Sequence, residues 1–364
     1  MNRILLFTRL MGSGGTETVI VQLAEAYRDL GCYVCVCGAP GPSVEKIKAL
    51  GLKFYPIADM QSKDPRTVAG ILSAVSRIID EEKINIVHTH HRMAAFYAWL
   101  LRMRHRFVFL NNIHNTFTDK RTLTRIAYTK AVNIAVGSAV AENMLRDYGL
   151  PEKSIRVIYN AVKQPAPRTV DDPMLKQLRE DGKFIVTNIG RLDTQKGMEF
   201  YIRAASAVKR SNAQIAFLIV GEGPLHQELA QLVKLEGLED VVWFLGYRTD
   251  VSDIIDQSDL MVLSSLWEGF PLIPIECFSV GRTIVATNVP GTMEIVKDGE
   301  NGLIVPTENP EAIAAAVLKL YGDREELDRL ARNAKQTYLE KFSYESFRDQ
   351  YLCLLREVTK GEKI

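Results

Sequence analysis

Two carboxylates eight residues apart frame the segment Trp267-Glu268-Gly-Phe270-Pro271-Leu272-Ile-Pro-Ile-Glu276-Cys-Phe-Ser-Val-Gly281. Pro271 suits a first helical turn, which places Glu268 in the loop before a helix and Glu276 inside it. Glu276 is the only charged residue between Gly269 and Gly281. An isolated carboxylate on so apolar a helix is costly unless something pairs with it. A vicinal diol such as a ribose can donate two hydrogen bonds to one carboxylate; backbone groups or Arg282 are the structural alternative. Upstream, Gly190-Arg191-Leu-Asp-Thr-Gln-Lys196-Gly197 carries two cations on a turn between a strand and a helix. There a Lys point charge and an Arg fork suit a diphosphate.

A glycine turn, Gly12-Ser-Gly14-Gly15-Thr-Glu17, follows the first strand and opens a helix, where free amides favour an anion. A dinucleotide fingerprint needs its third glycine where Glu17 stands, and the second strand ends Cys37-Gly38-Ala39 without a ribose-binding acid. No GK[ST] follows for a Walker loop. His114 ends a strand in Asn111-Asn112-Ile-His114, and His88, His90 and His91 close another. His88 and His90 point the same way, but no third ligand is evident, so no metal is expected and contact with an acceptor or lining of its site is the better reading. Cys32-Tyr-Val-Cys35 reads CxxC, yet its apolar run without a second ligand pair reads as buried strand cysteines.

Short β-rich runs alternate with helical patterns along the whole chain. Strands are expected at Ile4–Phe7, Tyr33–Val36, Ile84–His88, Phe107–Ile113, Val132–Val136 and Ile155–Tyr159. Asp64-Pro65 caps one intervening helix and Gly31 ends another. Between Asn160 and Lys183 the pattern lapses, and Pro165, Pro167 and Pro173 read as linker. It resumes with strands at Phe184–Ile189, Ile215–Val220, Val241–Leu245, Leu260–Leu263, Thr283–Ala286 and Leu303–Val305; from Glu311 onward the pattern is helical. Two α/β domains with doubly wound parallel sheets follow, with a ligand cleft expected between them.

Glu268…Glu276 matches the EX7E motif of the GT4 family of retaining glycosyltransferases. The resemblance extends in order through Gly14-Gly15, Val157-Ile158-Tyr159-Asn160-Ala161, Gly190-Arg191…Lys196-Gly197, Gly221-Glu222-Gly223-Pro224 and Gly291-Thr-Met-Glu294-Ile295. It implies the GT-B fold: a Rossmann-like acceptor domain (1–165), a Rossmann-like nucleotide-sugar donor domain (166–342), and a C-terminal helix (343–364) packing back on the first. It further implies that Arg191 and Lys196 hold the donor diphosphate, Glu276 the ribose and Glu268 the transferred sugar. His114 resembles the histidine that contacts the donor sugar. Gly14, Gly15, Gly190, Gly221, Phe270, Pro271 and Leu272 complete the donor site, with Glu17, His90 and His91 on the acceptor side. Cys277 departs from the small alanine common in the family, without touching either carboxylate.

The 364 residues, 47% apolar and 24% charged, suit a globular protein of more than one domain. Forty-five Lys+Arg against forty-four Asp+Glu leave a net +1, so no nucleic-acid partner is expected. That mean hides an excess from Arg92 to Lys130, where Arg92, Arg102, Arg104, Arg106, Lys120, Arg121, Arg125 and Lys130 face one acid, Asp119. Phe96, Tyr97, Trp99 and Met103 interleave with the first of them, a composition that suits either an anionic membrane surface or a partly buried helix. No apolar run is long enough to span a bilayer, and five cysteines suit a reducing cytoplasm. The expectation is a cytoplasmic retaining glycosyltransferase at the inner membrane face. It would move a sugar from a UDP-sugar to a saccharide or lipid-linked acceptor, without metal or other cofactor. A nucleotide-sugar epimerase and a non-catalytic donor-binding subunit are the alternatives on the same fold.

Overall fold

The computed structural model describes residues 1–62, 64–166, 171–211 and 214–360. Two compact units emerge: Met1–Asn160 with the chain from Glu345 onward, and Ala161–Tyr344. The divisions expected at 165/166 and 342/343 thus fall at 160/161 and 344/345. The reason is local: Val162 bridges Ser343 in parallel, and the Tyr338 hydroxyl donates to the Val162 carbonyl at 3.0 Å. Residues just after Asn160 therefore belong with the second unit.

The first unit holds β1 (Arg3–Leu10), β2 (Tyr33–Ala39), β3 (Lys53–Pro56), β4 (Ile86–Thr89), β5 (Val108–Ile113), β6 (Val132–Ala135) and β7 (Ile155–Val157). All are parallel, in the order 3-2-1-4-5-6-7. Ile4, Leu5, Leu6 and Phe7 of β1 are wholly buried because helices cover both faces of a central strand. β3 was not foreseen: Lys-Phe-Tyr-Pro is a short edge strand, with neither an apolar run nor a clean alternation to betray it. Glu82, just past the helix Pro65–Glu81, binds β2 and β3 together. It accepts from the Tyr33 hydroxyl at 2.5 Å, Lys53 Nζ at 2.7 Å and the Tyr55 hydroxyl. These partners, Lys53 foremost, hold its carboxyl down at about 2.

In the second unit β8 (Phe184–Ile189), β9 (Ile215–Val220), β10 (Val242–Gly246), β11 (Leu260–Leu263), β12 (Ile284–Thr287) and β13 (Leu303–Val305) run parallel in the order 10-9-8-11-12-13. Strand order reverses between β1 and β4, and again between β8 and β11, and the loops leaving such switch points are where open α/β sheets bind ligands. Pro173, read as linker, opens the helix Pro173–Glu180, capped by Asp172 through Met174 N at 2.9 Å. Pro167 lies outside the described residues, as do residues 361–364 of the last expected segment. The helix Tyr344–Lys360 packs in the first unit, where Tyr351 is fully buried. Cys35 and Cys37 are buried in β2, and burial pushes the Cys35 thiol up to about 12, which suits inert core thiols. Among the described residues no helix is long and apolar enough to cross a membrane.

Candidate active site

Because all six strands of the second unit are parallel, the loops after β8, β9 and β11 leave one edge of the sheet. The loop after β8 carries Gly190 to Gly197 and is tied to its neighbours by backbone bonds. Gly190 N donates to Val220 O at 3.0 Å, Leu192 N to Glu222 O at 3.0 Å, and Leu266 N to Gln195 O at 2.8 Å. Gly221, at φ +135°, leaves no room for a side chain: a Cβ there would lie 2.0 Å from Gly190 O. The Ser264 hydroxyl, held by Asn188 Nδ2 at 2.9 Å, donates to the Lys196 carbonyl at 2.9 Å. Lys196 is thus fixed at its backbone.

Its ammonium pairs with Glu268 Oε1, which also accepts from the Ser265 hydroxyl at 2.7 Å. Gln195 Nε2 reaches Glu268 Oε2 at 3.3 Å and the Trp267 carbonyl at 2.9 Å. Gln195, Ser264 and Ser265 escaped the sequence reading; the one available signal was that Gln195 adjoins Lys196 and both serines end a strand. Arg191 stands apart, 72% exposed, with Asp193 3.7 Å away. The structure therefore brings Lys196 and Glu268 together and leaves Arg191 in solvent.

Glu276 lies in the short helix Ile273–Ser279. That helix begins two residues later than Pro271 implied, and its first-turn proline is Pro274. Pro271 instead lies buried in the preceding turn. Among the described residues nothing donates to the Glu276 carboxylate, and burial among apolar neighbours pushes its pKa up to about 7. Arg282 is no partner for it: that guanidinium donates to Asp256 O at 2.6 Å. Cys277 turns inward, its thiol 3.4 Å from Thr283 O. Phe270 is buried with its ring 6.0 Å from that of Phe342, so it packs in the unit's interior, while Leu272 is half-exposed.

In the first unit Gly14 and Gly15 are exposed at the start of the helix Gly15–Asp29. Glu17, expected on the acceptor side, folds back to accept from Gly14 N at 3.0 Å and so caps its own helix. His91 caps the helix Arg92–Leu101, its Nδ1 accepting from Met93 N at 3.1 Å, and burial holds it down at about 4. His88 is wholly buried and consumed on both nitrogens. Its Nε2 must donate to Asn112 Oδ1 at 2.8 Å, so its Nδ1 accepts from the Tyr27 hydroxyl at 3.0 Å. Asn112 Oδ1 accepts a second bond from the Tyr351 hydroxyl at 3.0 Å. That leaves no lone pair on His88 for a metal, against the pairing its spacing with His90 had raised.

His90 and His114, beyond the ends of β4 and β5, stack at 5.4 Å and share a hydrogen bond between Nδ1 and Nε2 at 3.1 Å. Burial pushes His114 down to about 4 and His90 well below its usual range, so both imidazoles are neutral near pH 7. A neutral His114 acts as a hydrogen-bonding group, not as a cation.

Two family descriptions account for most of the chain: Glycosyltransferase Family 4 over residues 13–164 and Glycosyl transferases group 1 over residues 171–337. The chain is similar to the alpha-D-kanosaminyltransferase of Streptomyces kanamyceticus, 33% identical over 188 residues, a match spanning 50% of this chain and 49% of that one. It is 25% identical over 291 residues to the UDP-Gal:alpha-D-GlcNAc-diphosphoundecaprenol alpha-1,3-galactosyltransferase of Escherichia coli, covering 75% of each chain. In fold it matches the crystal structure of Anabaena HepE in complex with UDP-glucose, with a TM-score of 0.86, 22% identity and coverage of 98% of this chain and 99% of that one. Two parallel α/β units, the paired Lys196 and Glu268, the solitary Glu276 and both family descriptions agree: the chain belongs to the group 1, family 4 glycosyltransferases and has the GT-B fold.

Proposed function

We propose that this glycosyltransferase moves a sugar, with retention at the anomeric carbon, from a UDP-sugar to a saccharide or lipid-linked acceptor of envelope or exopolysaccharide synthesis. The observation that carries the reading is Glu276: an unpaired carboxylate with a pKa near 7 at the ligand-binding edge of a parallel sheet wants a ligand with two adjacent donors. A ribose supplies them. Arg191 and Lys196 are the cations for the diphosphate, and Glu268 faces the transferred sugar. His114, neutral, donates to or accepts from a sugar hydroxyl. The similarity to a UDP-glucose-bound structure and to a galactosyltransferase acting on a diphosphoundecaprenol saccharide supports the donor and acceptor classes. Retention without a carboxylate nucleophile implies front-face displacement, in which the leaving diphosphate takes the acceptor proton and Arg191 and Lys196 stabilise its charge. No metal is needed, since these two cations do that work.

A thermal-shift panel of UDP-, GDP- and ADP-sugars tests the donor. A true donor at 100 times its Kd adds about 2.7 kcal/mol of stability, so the UDP-sugar is expected to raise Tm where the others do not. A shift with only a GDP- or ADP-sugar overturns the base assignment.

Membrane contact is proposed through residues 92–130. Arg102, Arg104, Arg106, Lys120, Arg121, Arg125 and Lys130 are all exposed, and Met103 is 78% exposed among them. Phe96 and Trp99 stack at 5.8 Å with part of each ring open, while Arg92 is spent on Asp119. At ~1 kcal/mol per cation near an anionic surface, the protein is expected to sediment with phosphatidylglycerol-containing vesicles and to stay in solution with pure phosphatidylcholine. Equal behaviour with both would refute the contact.

A further inference from the structure

The ammonium assigned to the diphosphate is, in this structure, spent on the carboxylate assigned to the sugar. Glu268 is nearly enclosed, with 8% of its side chain exposed, and Lys196 shows 18%. Besides Lys196, Glu268 has two donors among the described residues, both neutral: Ser265 and Gln195. An enclosed carboxylate that loses its counter-ion is costly to leave so. The Lys196 stem lies along Gly190, where a Cβ would come within 3.2 Å of its Cγ, Cδ and Cε, and its carbonyl is held by Ser264. The backbone is anchored and the stem lies against Gly190, so a change of partner falls to the ammonium head.

We propose that Lys196 is a shared counter-ion by which the site distinguishes a sugar-bearing nucleotide from a spent one. The inference rests on the nucleotide-sugar reading above. A diphosphate at the β8 edge draws the ammonium from Glu268. Sugar hydroxyls then donate to the vacated carboxylate, so the exchange is complete with a loaded donor. A nucleoside diphosphate alone brings no hydroxyls to Glu268, and the carboxylate competes to recapture Lys196. Once the sugar has been transferred, that recapture loosens the hold on the diphosphate and favours its release. Glu268 thereby weakens product binding while serving the substrate.

The test is a double-mutant cycle in the full chain, with UDP and UDP-glucose as probes, read by isothermal calorimetry. Glu268→Gln is expected to bind UDP about tenfold more tightly than the wild type and UDP-glucose no more tightly. In a Lys196→Met background the same Glu268→Gln change is expected to alter UDP affinity by less than about twofold, because the competition has lost its object. If the tenfold gain persists without Lys196, plain charge repulsion explains it and the exchange is overturned. An unchanged UDP affinity in Glu268→Gln alone overturns it too. Should neither probe bind a wild-type chain shown to be folded by circular dichroism, the nucleotide-sugar reading itself falls, and the exchange with it. Binding of both probes with no effect from either substitution defeats only the exchange.

Discussion

Glu276→Gln is expected to lose about two orders of magnitude in UDP-sugar affinity while becoming more stable than the wild type above pH 7. The first half follows from valence. An ionised carboxylate can accept from both hydroxyls of a diol, whereas an amide offers one acceptor and turns a donor toward the second. Hydrogen bonds to a charged group are worth ~1.5–3 kcal/mol each, so losing one and frustrating the other amounts to roughly a hundredfold. The second half follows from linkage. Burial raises the folded pKa of Glu276 from 4.5 to about 7. Between those values the folded state binds the proton that the unfolded state has released, so wild-type stability falls as pH rises through that window and then levels off. At ~1.4 kcal/mol per pKa unit, discounted for the partial exposure of the side chain, the deficit is roughly 2–3 kcal/mol. Gln never ionises and lacks that slope. Urea titrations from pH 5 to pH 8 should show the curves of the two proteins diverging with pH, and donor binding by the wild type strengthening through about pH 7. Wild-type donor affinity in Glu276→Gln would remove the diol assignment.

Gly221→Ala carries the other large effect, and here backbone geometry decides it. The new Cβ lands 2.0 Å from Gly190 O, more than an ångström inside contact distance. Neither backbone yields easily, because Gly221 N is bonded to Gly246 O at 2.8 Å and Gly190 N to Val220 O at 3.0 Å. The conformation, φ +135°, also disfavours any side chain. Strain and displacement together should cost about 3–5 kcal/mol and lower the melting of this unit by roughly 10 °C. The loop that moves carries Lys196, so the thermal response to a UDP-sugar should vanish as well. Gly281→Ala is the control: φ is positive there as well, at +74°, but among the described residues nothing outside the local backbone and its chain neighbours lies within 4 Å of the added Cβ. It should cost only the ~1 kcal/mol of a left-handed residue. If the two variants melt together, the close approach at Gly221 is not what holds the loop.

Both sites show how far local pattern reaches. The core strands Ile4–Phe7 and Ile215–Val220 were legible because a strand buried on both faces is apolar throughout, and so announces itself without its neighbours. β3 was not, since an edge strand of four residues needs only one partner and tolerates Lys and Pro. Pro173 misled for a related reason: a proline among charges fits a linker and a first helical turn equally well, and only the Asp172 cap distinguishes them. Pro271 and Pro274 pose the same ambiguity three residues apart.

Composition and spacing were enough for the two parallel domains and for Glu276, whose isolation on an apolar helix is a property of adjacent residues, while the glycosyltransferase family came from the resemblance of its motifs. They could not tell that Arg282 pairs with Asp256 instead, that Glu17 and His91 are helix caps, or that His88 is spent between Tyr27 and Asn112. Nor could they pair Lys196 with Glu268 across 72 residues, or bring Tyr351 to Asn112 across 239. Burial periodicity and helix capping act within a few residues and leave their mark in order along the chain. A hydrogen bond or an ion pair reaches only a few ångströms in space, so which side chains share one is decided by how the strands are ordered in the sheet.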